Sequence, residues 1–252
     1  MIHYHGTPVG GSRQDVARFL MGRHALIPFV RKDDTGSVLE CCQSFILDNG
    51  AFSYWKKGNG RIDFDDYFDW CKNLYRHPSF DWCLIPDVID GDESENRELV
   101  IKWLRIGSKI KGVPVYHMHE SFQYFEWLVS NFDTVAIGSS GIWNVPGSKK
   151  WWLRIDEIMR IACNSKGQPQ CKLHGLRMLD PEIFTKLPLS SADSTNAAVN
   201  CGSLSRFGIY VPPTAAQRAA VIADRIEMFN SSPVYNSLTQ TGIFDDQLCD
   251  LS

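Results

Sequence analysis

The sequence lacks the features that mark membrane, exported and zinc-ribbon proteins. No stretch approaches the about 18 uncharged apolar residues of a membrane span. The first residues, Met1-Ile-His-Tyr-His-Gly6, do not join a basic region to an apolar one, so we expect no signal peptide and a cytoplasmic location. The eight cysteines are scattered, without zinc-ribbon spacing. Without an export signal, they are typical of buried thiols rather than a disulfide framework.

The sequence also lacks a large net charge and any sign of division into several domains. The formal net charge of −3 argues against a strongly basic nucleic-acid-binding protein but leaves room for a local basic surface. No repeat, low-complexity tract or linker-like change of composition divides the chain. With 44% hydrophobic and 12% aromatic residues, it can build one large core, so we expect a single domain over residues 1–252.

What the sequence does contain is a recurring unit of a short apolar run, a turn and a helical pattern. Short apolar runs that alternate with helices are typical of parallel strands covered on both faces. Eight such units predict a closed (β/α)8 barrel (TIM barrel) of the α/β class rather than an open sheet. The runs are His3–His5, Ala25–Phe29, Phe45–Asp48, Trp82–Asp87, Val113–His117, Thr134–Gly138, Cys171–Gly175 and Leu189–Asp193.

Several segments between the runs have a clear helical stripe. Helices are predicted from Asp63, which opens an apolar stripe at helical spacing, and after Thr214, which can cap its helix. A third is predicted at Asp180-Pro181, a cap followed by proline in the first turn. Another is predicted from Trp151, with its apolar face continuing to Ala162. The second crossover, Arg31–Gln43, is expected to be irregular. The tail after Ser231 is polar and is expected to pack loosely outside the barrel.

Three aspartates end apolar runs at the predicted barrel mouth. In this fold the active site is built from the loops at the C-terminal ends of the strands. Asp48, Asp87 and Asp193 end runs three, four and eight, and grouped ionisable residues are costly unless they have a function. Each also has a simpler interpretation. Asn49-Gly50 after Asp48 is typical of a hairpin, Asp87 is a turn or cap residue after a proline, and Asp193 is the cap of a short helix.

Weaker candidates lie nearby. Gly138-Ser139-Ser140-Gly141 offers successive backbone N–H groups that suit a flat heterocycle or an anion, although a plain turn has the same composition. Lys56, Lys57 and Arg61, in the predicted loop after Asp48, form a modest basic cluster that suits phosphate contacts or a solvated loop.

Histidines are paired along two predicted strands. His3 and His5 share one strand face, as do His117 and His119. This spacing suits a metal pair, although a single histidine on a strand is more often a hydrogen-bonded structural residue.

The motifs together resemble the tRNA-guanine transglycosylase family. They resemble most the DNA-modifying branch, the DpdA-type enzymes of phages and bacteria that insert 7-deazaguanines into DNA. The resemblance runs from about Phe45 to Asn200 as short motifs in matching order. These motifs are Asp48-Asn-Gly-Ala-Phe52, Pro86-Asp87, Tyr116-His117, Ala136-Ile-Gly138 and Ala192-Asp193-Ser194.

The resemblance implies a role for each aspartate. Asp193 matches the nucleophile, Asp48 the acid/base residue and Asp87 the carboxylate that reads the exchanged base. The implied activity replaces guanine in DNA with a preQ0-like 7-deazaguanine base through a covalent aspartyl–sugar intermediate, without a metal or cofactor. Other residues implied to bind the base are Asn49, Phe52, His117 (where the family has a glutamine), Gly138 and Ser139 (where it has a glycine pair).

The resemblance also bears on the partners. The chain lacks the C-x-C-x-x-C…His zinc site of the tRNA-acting enzymes. We therefore expect duplex DNA, with the target guanine flipped out, and a free 7-deazaguanine base as partners. Phosphate contacts are assigned to Lys56, Lys57 and Arg61. A tRNA substrate is the nearest alternative.

Two other functional classes remain open. His3, His5, His117 and Asp193 are similar in order to the ligands of metal-dependent amidohydrolase barrels, although Gly138 stands where the sixth-strand histidine belongs. A catalytically silent barrel that binds nucleic acid or a partner protein is the third possibility. Three aspartates at one mouth argue against it.

Overall fold

A computed structural model describes residues 1–7, 13–58, 62–106 and 109–237, except for the side chains of residues 13, 14, 16 and 57. Within these residues, nine parallel strands follow the order β5-β4-β3-β2-β1-β9-β8-β7-β6. They are β1 Ile2–Gly6, β2 His24–Pro28, β3 Ser44–Asp48, β4 Phe80–Leu84, β5 Gly112–Val113, β6 Val115–His117, β7 Thr134–Gly138, β8 Lys172–Gly175 and β9 Ser191–Ser194.

The two ends of this strand order are one strand interrupted at Pro114. β5 pairs with β4, and β6 pairs with β7, so the segment from Gly112 to His117 joins both edges of the sheet. Proline has no N–H to donate to the ladder, but the Pro114 carbonyl still accepts a hydrogen bond from Ala136 N at 2.9 Å. The sheet is therefore a closed eight-unit (β/α)8 barrel, as the sequence predicted.

Helices lie between the strands along the chain and cover the outside of the barrel. The α-helices of the described residues are α1 Arg13–Leu20, α2 Thr35–Leu39, α3 Ala51–Lys57, α4 Phe64–Leu74, α5 Glu93–Arg105, α6 Phe122–Asn131, α7 Lys149–Ala162, α8 Pro181–Phe184, α9 Asn196–Asn200 and α10 Ala215–Glu227.

The predicted helices begin where expected, and the capping predictions at Thr214 and Asp180 are confirmed. Asp63 accepts hydrogen bonds from the N–H groups of Asp65 and Asp66 at the start of α4. Thr214 forms a capping box with Gln217 at the start of α10. In α7, the predicted apolar face is buried and includes Trp151, Trp152 and Ile155. The second crossover is irregular as expected, with a 3-10 helix followed by the five-residue α2.

Two predicted boundaries were wrong. The fourth strand ends at Leu84 rather than Asp87. Ile85 still donates to the Val113 carbonyl at 2.9 Å, but Pro86 cannot donate, so the ladder stops there. The segment carrying Lys56 and Lys57 is the last turn of α3 rather than a loop.

The barrel interior is filled by side chains up to the level of the mouth. Tyr4 and Trp82 meet edge to face, and Trp82 in turn contacts the His174 ring at a centroid distance of 4.8 Å. The Tyr4 hydroxyl donates to Asp81 at 2.7 Å. The buried apolar residues of this inner core are Tyr4, Leu26, Ile46, Trp82, Leu84, Val113, Val115 and Ala136.

The described part of the tail packs more tightly than expected. Ser231 Oγ donates to the Leu189 carbonyl at 2.7 Å, and the Tyr235 hydroxyl donates to Asp156 at 2.6 Å. The seven cysteines of the described residues are free thiols, of which Cys71, Cys83, Cys163 and Cys201 are buried as predicted and the other three are only partly buried. Within the same residues, no helix combines the length and apolar character needed to cross a bilayer.

Candidate active site

The three predicted aspartates come together at the C-terminal mouth of the barrel. Burial, together with the negative charges of Asp193 and Asp87, raises the pKa of Asp48 to about 7 against the opposing hydrogen bond from Gly50 N–H. All three lie at the carboxyl ends of parallel strands, with Asp48 in β3, Asp87 after β4 and Asp193 in β9. A carboxyl group with a pKa near 7 can both donate and accept a proton near neutral pH.

Asp48 stands at a strand-to-helix turn, so the hairpin interpretation was wrong. Gly50 adopts a φ of +80° directly before α3. A side chain there would be strained, and its Cβ would lie 3.2 Å from Val30 Cγ1. The Asn-Gly pair thus turns the chain outward into a helix and leaves Asp48 at the mouth.

The Asp193 carboxylate is held by two hydrogen-bond partners, one a side chain and the other a backbone N–H group. His174 Nε2 lies 3.0 Å from Asp193 Oδ2, and Arg177 N donates to Oδ1 at 3.3 Å. His174 is fully buried, and its Nδ1 lies 2.8 Å from Ser191 Oγ. Both ring nitrogens of His174 are therefore within hydrogen-bond distance of a partner, one the Asp193 carboxylate and the other the Ser191 hydroxyl. Thr195, not Asp193, precedes α9, so the helix-cap interpretation was wrong.

Asp87 is held by a second pair of donors. Asn49 Nδ2 donates to Oδ1 at 2.6 Å, and His117 Nε2 lies 2.8 Å from Oδ2. Asn49 is itself fixed, because it also donates to the Ile85 carbonyl at 2.9 Å and accepts from Ala51 N. Asp87 therefore does not cap a helix with its side chain, and that interpretation was also wrong.

A buried carboxylate stands behind His117. Glu120 Oε2 accepts from the His117 backbone N–H at 2.7 Å, and Asn96 donates to Oε1 at 2.8 Å. Burial alone lowers the pKa of His117, but the hydrogen bond and charge of Asp87, with the charge of Glu120, outweigh it and raise that pKa. His117 is thus favoured in its protonated form beside Asp87.

The remaining base-binding candidates line other parts of the mouth. Gly138 ends β7 beside His117, and a Cβ there would lie 3.4 Å from His117 Nδ1. The Ser139 hydroxyl accepts from the Trp151 indole at 2.8 Å, which ties this loop to α7. Phe52, in α3, carries the Arg177 guanidinium 4.2 Å from its ring centroid.

The first-strand histidines face away from this mouth. His3 Nε2 lies 3.0 Å from the Phe229 carbonyl, and His5 Nε2 lies 2.7 Å from Glu227. Both side chains therefore lie on the outer face, toward α10 and the residues after it, while Tyr4 between them points into the barrel. They cannot join Asp193 in a metal site, so this part of the hydrolase interpretation was wrong.

His119 packs beside His117, with ring centroids 5.7 Å apart, and is engaged by Ser140 and the Gly91 carbonyl. In the part of the chain that the structure describes, no three His, Cys, Asp or Glu side chains are grouped as metal ligands.

The predicted basic cluster is only partly visible. Lys56 is exposed in the last turn of α3, whereas the side chain of Lys57 and the whole of Arg61 lie outside the described residues. The structure adds two residues to those given a role from the sequence, His174 and Arg177. The sequence places His174 at the mouth, because it lies near the end of the seventh apolar run, but it does not indicate the contact with Asp193.

A cavity of about 400 Å³ opens beside Asp87, within the roughly 300–1,000 Å³ range of small-molecule sites. Its walls include Tyr54 and Trp55 of α3 and residues 88–91. A larger cleft of about 720 Å³ runs outward from Asp87 along α5. Among the described residues, both cavities are lined by Asp87, and neither is lined by Asp48, Asp193 or Phe52.

Comparisons with known proteins give no family. No family model matches the chain, and no curated protein matches it significantly. One similar solved structure is provisionally named a fructose-1,6-biphosphate aldolase from Coccidioides immitis, with 14% identity and a TM-score of 0.48 over 90% of this chain and 89% of that one. Another is provisionally named a mandelate racemase/muconate lactonizing enzyme from Pseudovibrio sp., with 16% identity and a TM-score of 0.39 over 71% of this chain and 45% of that one. The barrel assignment rests on the strand order, and neither likeness bears on the reaction.

Proposed function

We propose that the chain is an enzyme, a base-exchange transglycosylase that replaces guanine in DNA with a 7-deazaguanine of the preQ0 type. The observation that carries this proposal is the pair of differently held carboxylates. Asp193 is fixed by His174 and Arg177 N, whereas burial raises the pKa of Asp48 to about 7. Two carboxyl groups in different environments are what a covalent displacement at a sugar carbon requires.

The first step breaks the bond between sugar and guanine. An oxygen of the Asp193 carboxylate attacks C1′ of the nucleotide and forms a C–O bond. The C1′–N9 bond breaks, its electron pair goes to N9, and the proton of neutral Asp48 goes to the departing base. The products are free guanine, an aspartyl–sugar ester and the Asp48 carboxylate.

The second step reverses the first with a different base. The incoming 7-deazaguanine attacks C1′ through its N9, and the N9 proton goes to the Asp48 carboxylate. The ester C–O bond breaks and its electrons return to Asp193. No net proton or electron is gained or lost, so the cycle needs no cofactor.

Asp87 is the residue that reads the base in this proposal. Asn49 and His117 occupy one position on each of its oxygens and fix the plane of the carboxylate. The remaining lone pairs can accept the N–H groups of a guanine-like heterocycle. The adjoining cavity beside Tyr54 and Trp55 supplies aromatic walls for a flat ligand.

DNA is the proposed polymer. The motifs resemble the DNA-modifying branch most, and the cysteine spacing of the tRNA-acting enzymes is absent. A guanine inside a duplex must leave the stack before a carboxylate can reach C1′, so the enzyme must bind it flipped out.

The test is base exchange with labelled guanine or preQ0 on duplex DNA and, separately, on unmodified tRNA at the same salt concentration. We expect label in DNA and a covalent protein–DNA adduct that survives denaturation. Asp193→Ala should abolish both. Asp69→Ala is the matched control, because it removes an exposed carboxylate from α4.

Each alternative outcome identifies the part that fails. Label that enters only tRNA would overturn the polymer and leave the mechanism. An adduct of full yield in Asp193→Ala would remove the nucleophile. Label in neither polymer, with folded protein, would overturn the transglycosylase.

A further inference from the structure

Arg177 holds an unusual position in the loop after β8. Its backbone N–H donates to the Asp193 carboxylate at 3.3 Å. Its side chain is exposed and reaches across to α3, where the guanidinium carbon lies 4.2 Å from the centroid of the Phe52 ring. One residue therefore touches the proposed nucleophile with its backbone and spans the mouth with its side chain.

The backbone of Arg177 is strained. Its φ is +59°, and within the described residues no other non-glycine residue has a positive φ. Glycine or asparagine adopts this conformation at lower cost than arginine. Strained residues persist where the surrounding structure fixes them, and they cluster at functional sites. The chain thus keeps an arginine where its backbone favours a smaller residue.

The charge of Arg177 is oriented but not neutralised. The guanidinium packs on an aromatic ring, and in the described part of the chain it forms no ion pair with a carboxylate. Stacking uses the flat face of the guanidinium and leaves the N–H donors in its plane. These donors match the geometry of two phosphate oxygens.

Both sides of the mouth carry charges of both signs. The helices α4 and α5 begin with acidic residues at positions 65, 66, 93 and 95, but Lys56 is exposed in α3. On the side of β7 to β9, α7 begins with Lys149 and Lys150, whereas Asp180 and Glu182 open α8. Arg177 is therefore set apart by its backbone hydrogen bond to Asp193 and not by a basic surface around it.

We infer that Arg177 binds the backbone phosphate of the nucleotide whose sugar Asp193 attacks. The inference rests on the proposed function for the identity of that nucleotide. It replaces Lys56, Lys57 and Arg61 as the main expected phosphate contact, because Arg177 is fixed directly to the nucleophile. A phosphate bound by Arg177 positions the nucleotide so that its C1′ faces the Asp193 carboxylate.

The test measures binding of a duplex oligonucleotide without free base, as a function of salt. Arg177→Asn keeps a residue that tolerates positive φ and removes the guanidinium. We expect it to weaken binding about tenfold at about 0.1 M salt and to lower the salt slope by about one ion. Arg177→Gly should behave in the same way, and Arg177→Lys should restore the slope but only part of the affinity.

Arg76→Asn is the matched control. Arg76 is an exposed arginine that also stacks on an aromatic ring, that of Tyr75, and it lies in the turn before β4 rather than at the C-terminal mouth. Its removal should leave affinity and slope unchanged. Unchanged binding by Arg177→Asn, or wild-type binding without salt dependence, would overturn the inference. So would a loss that Arg177→Lys does not repair.

Failure of the proposed function has a different signature. If no variant exchanges base but Arg177→Asn still lowers the slope, the phosphate site stands and the transglycosylase falls. The same titration with unmodified tRNA separates a DNA phosphate from an RNA phosphate. A further test replaces the backbone phosphate next to the exchanged guanine with a neutral methylphosphonate. This change in the DNA should weaken binding by the wild type and leave binding by Arg177→Asn unchanged.

Discussion

Two histidine–aspartate pairs lie at the barrel mouth, and they differ in what stands behind each histidine. His117 lies 2.8 Å from Asp87, and His174 lies 3.0 Å from Asp193. Behind His117 stands Glu120, whose carboxylate accepts from the His117 backbone. Behind His174 stand a serine hydroxyl and the edges of aromatic rings.

The difference suits two tasks. His117, between Asp87 and Glu120, has a raised pKa, which favours a charged pair with Asp87. His174 is fully buried, with Ser191 Oγ as the partner of its second nitrogen. In the proposed reaction, the first pair recognises the base and the second orients the Asp193 carboxylate for its attack.

The largest expected effect comes from Asp48, which interacts with both pairs. Asp48→Asn should lower the rate of adduct formation by at least about 100-fold, because it removes the proton for the leaving base. In the wild type this rate should fall as pH rises through about 7, where Asp48 loses that proton. The measurement is single-turnover trapping of the adduct across pH.

The residual rate of adduct formation by Asp48→Asn should not fall as pH rises through about 7. If the variant still shows this fall, or reacts at the wild-type rate, Asp48 is only a turn residue. Asp69→Ala serves again as the control that should leave the profile unchanged.

The sequence predicted more of the fold than of the site's internal contacts. The eight apolar runs became the eight barrel units because strands buried on both faces are continuous hydrophobic segments. Asp48, Asp87 and Asp193 were placed at one mouth because parallel strands share a C-terminal end. The pairing of His174 with Asp193 depends on the alternation of side chains on two strands. The role of Arg177 depends on a positive φ, and nothing in the local sequence indicates it.

The second prediction tests whether charge repulsion among the three carboxylates destabilises the folded state. Asp48→Asn should be more stable than wild type, because it removes a charge that burial and two neighbouring carboxylates disfavour. The folded pKa is about 7, against 3.8 for an ordinary aspartate, so the wild type binds the extra proton when folded. The penalty is therefore absent below pH 3.8, grows as pH rises and is complete above about 7.

The stabilisation should thus be larger at about pH 8 than at about pH 5, by about 2 kcal/mol after allowance for the partial exposure of Asp48. Urea unfolding of both proteins at the two pH values measures it. Equal stabilisation at both would mean that Asp48 titrates normally and that the carboxylates do not share an environment.

The smallest effect separates the two pairs most sharply. His→Asn shortens the side chain so that its donor no longer reaches the aspartate, whereas His→Gln places an amide donor near the Nε2 position. His174→Asn should slow adduct formation about tenfold and leave the KM for the free base nearly unchanged, because it frees the nucleophile. His117→Asn should raise that KM about tenfold with little effect on adduct formation, because it frees the base-reading carboxylate. Gln should restore part of each loss. If both Asn variants change the same kinetic constant, recognition and reaction are not divided between the two pairs, and Asp87 and Asp193 act as one unit.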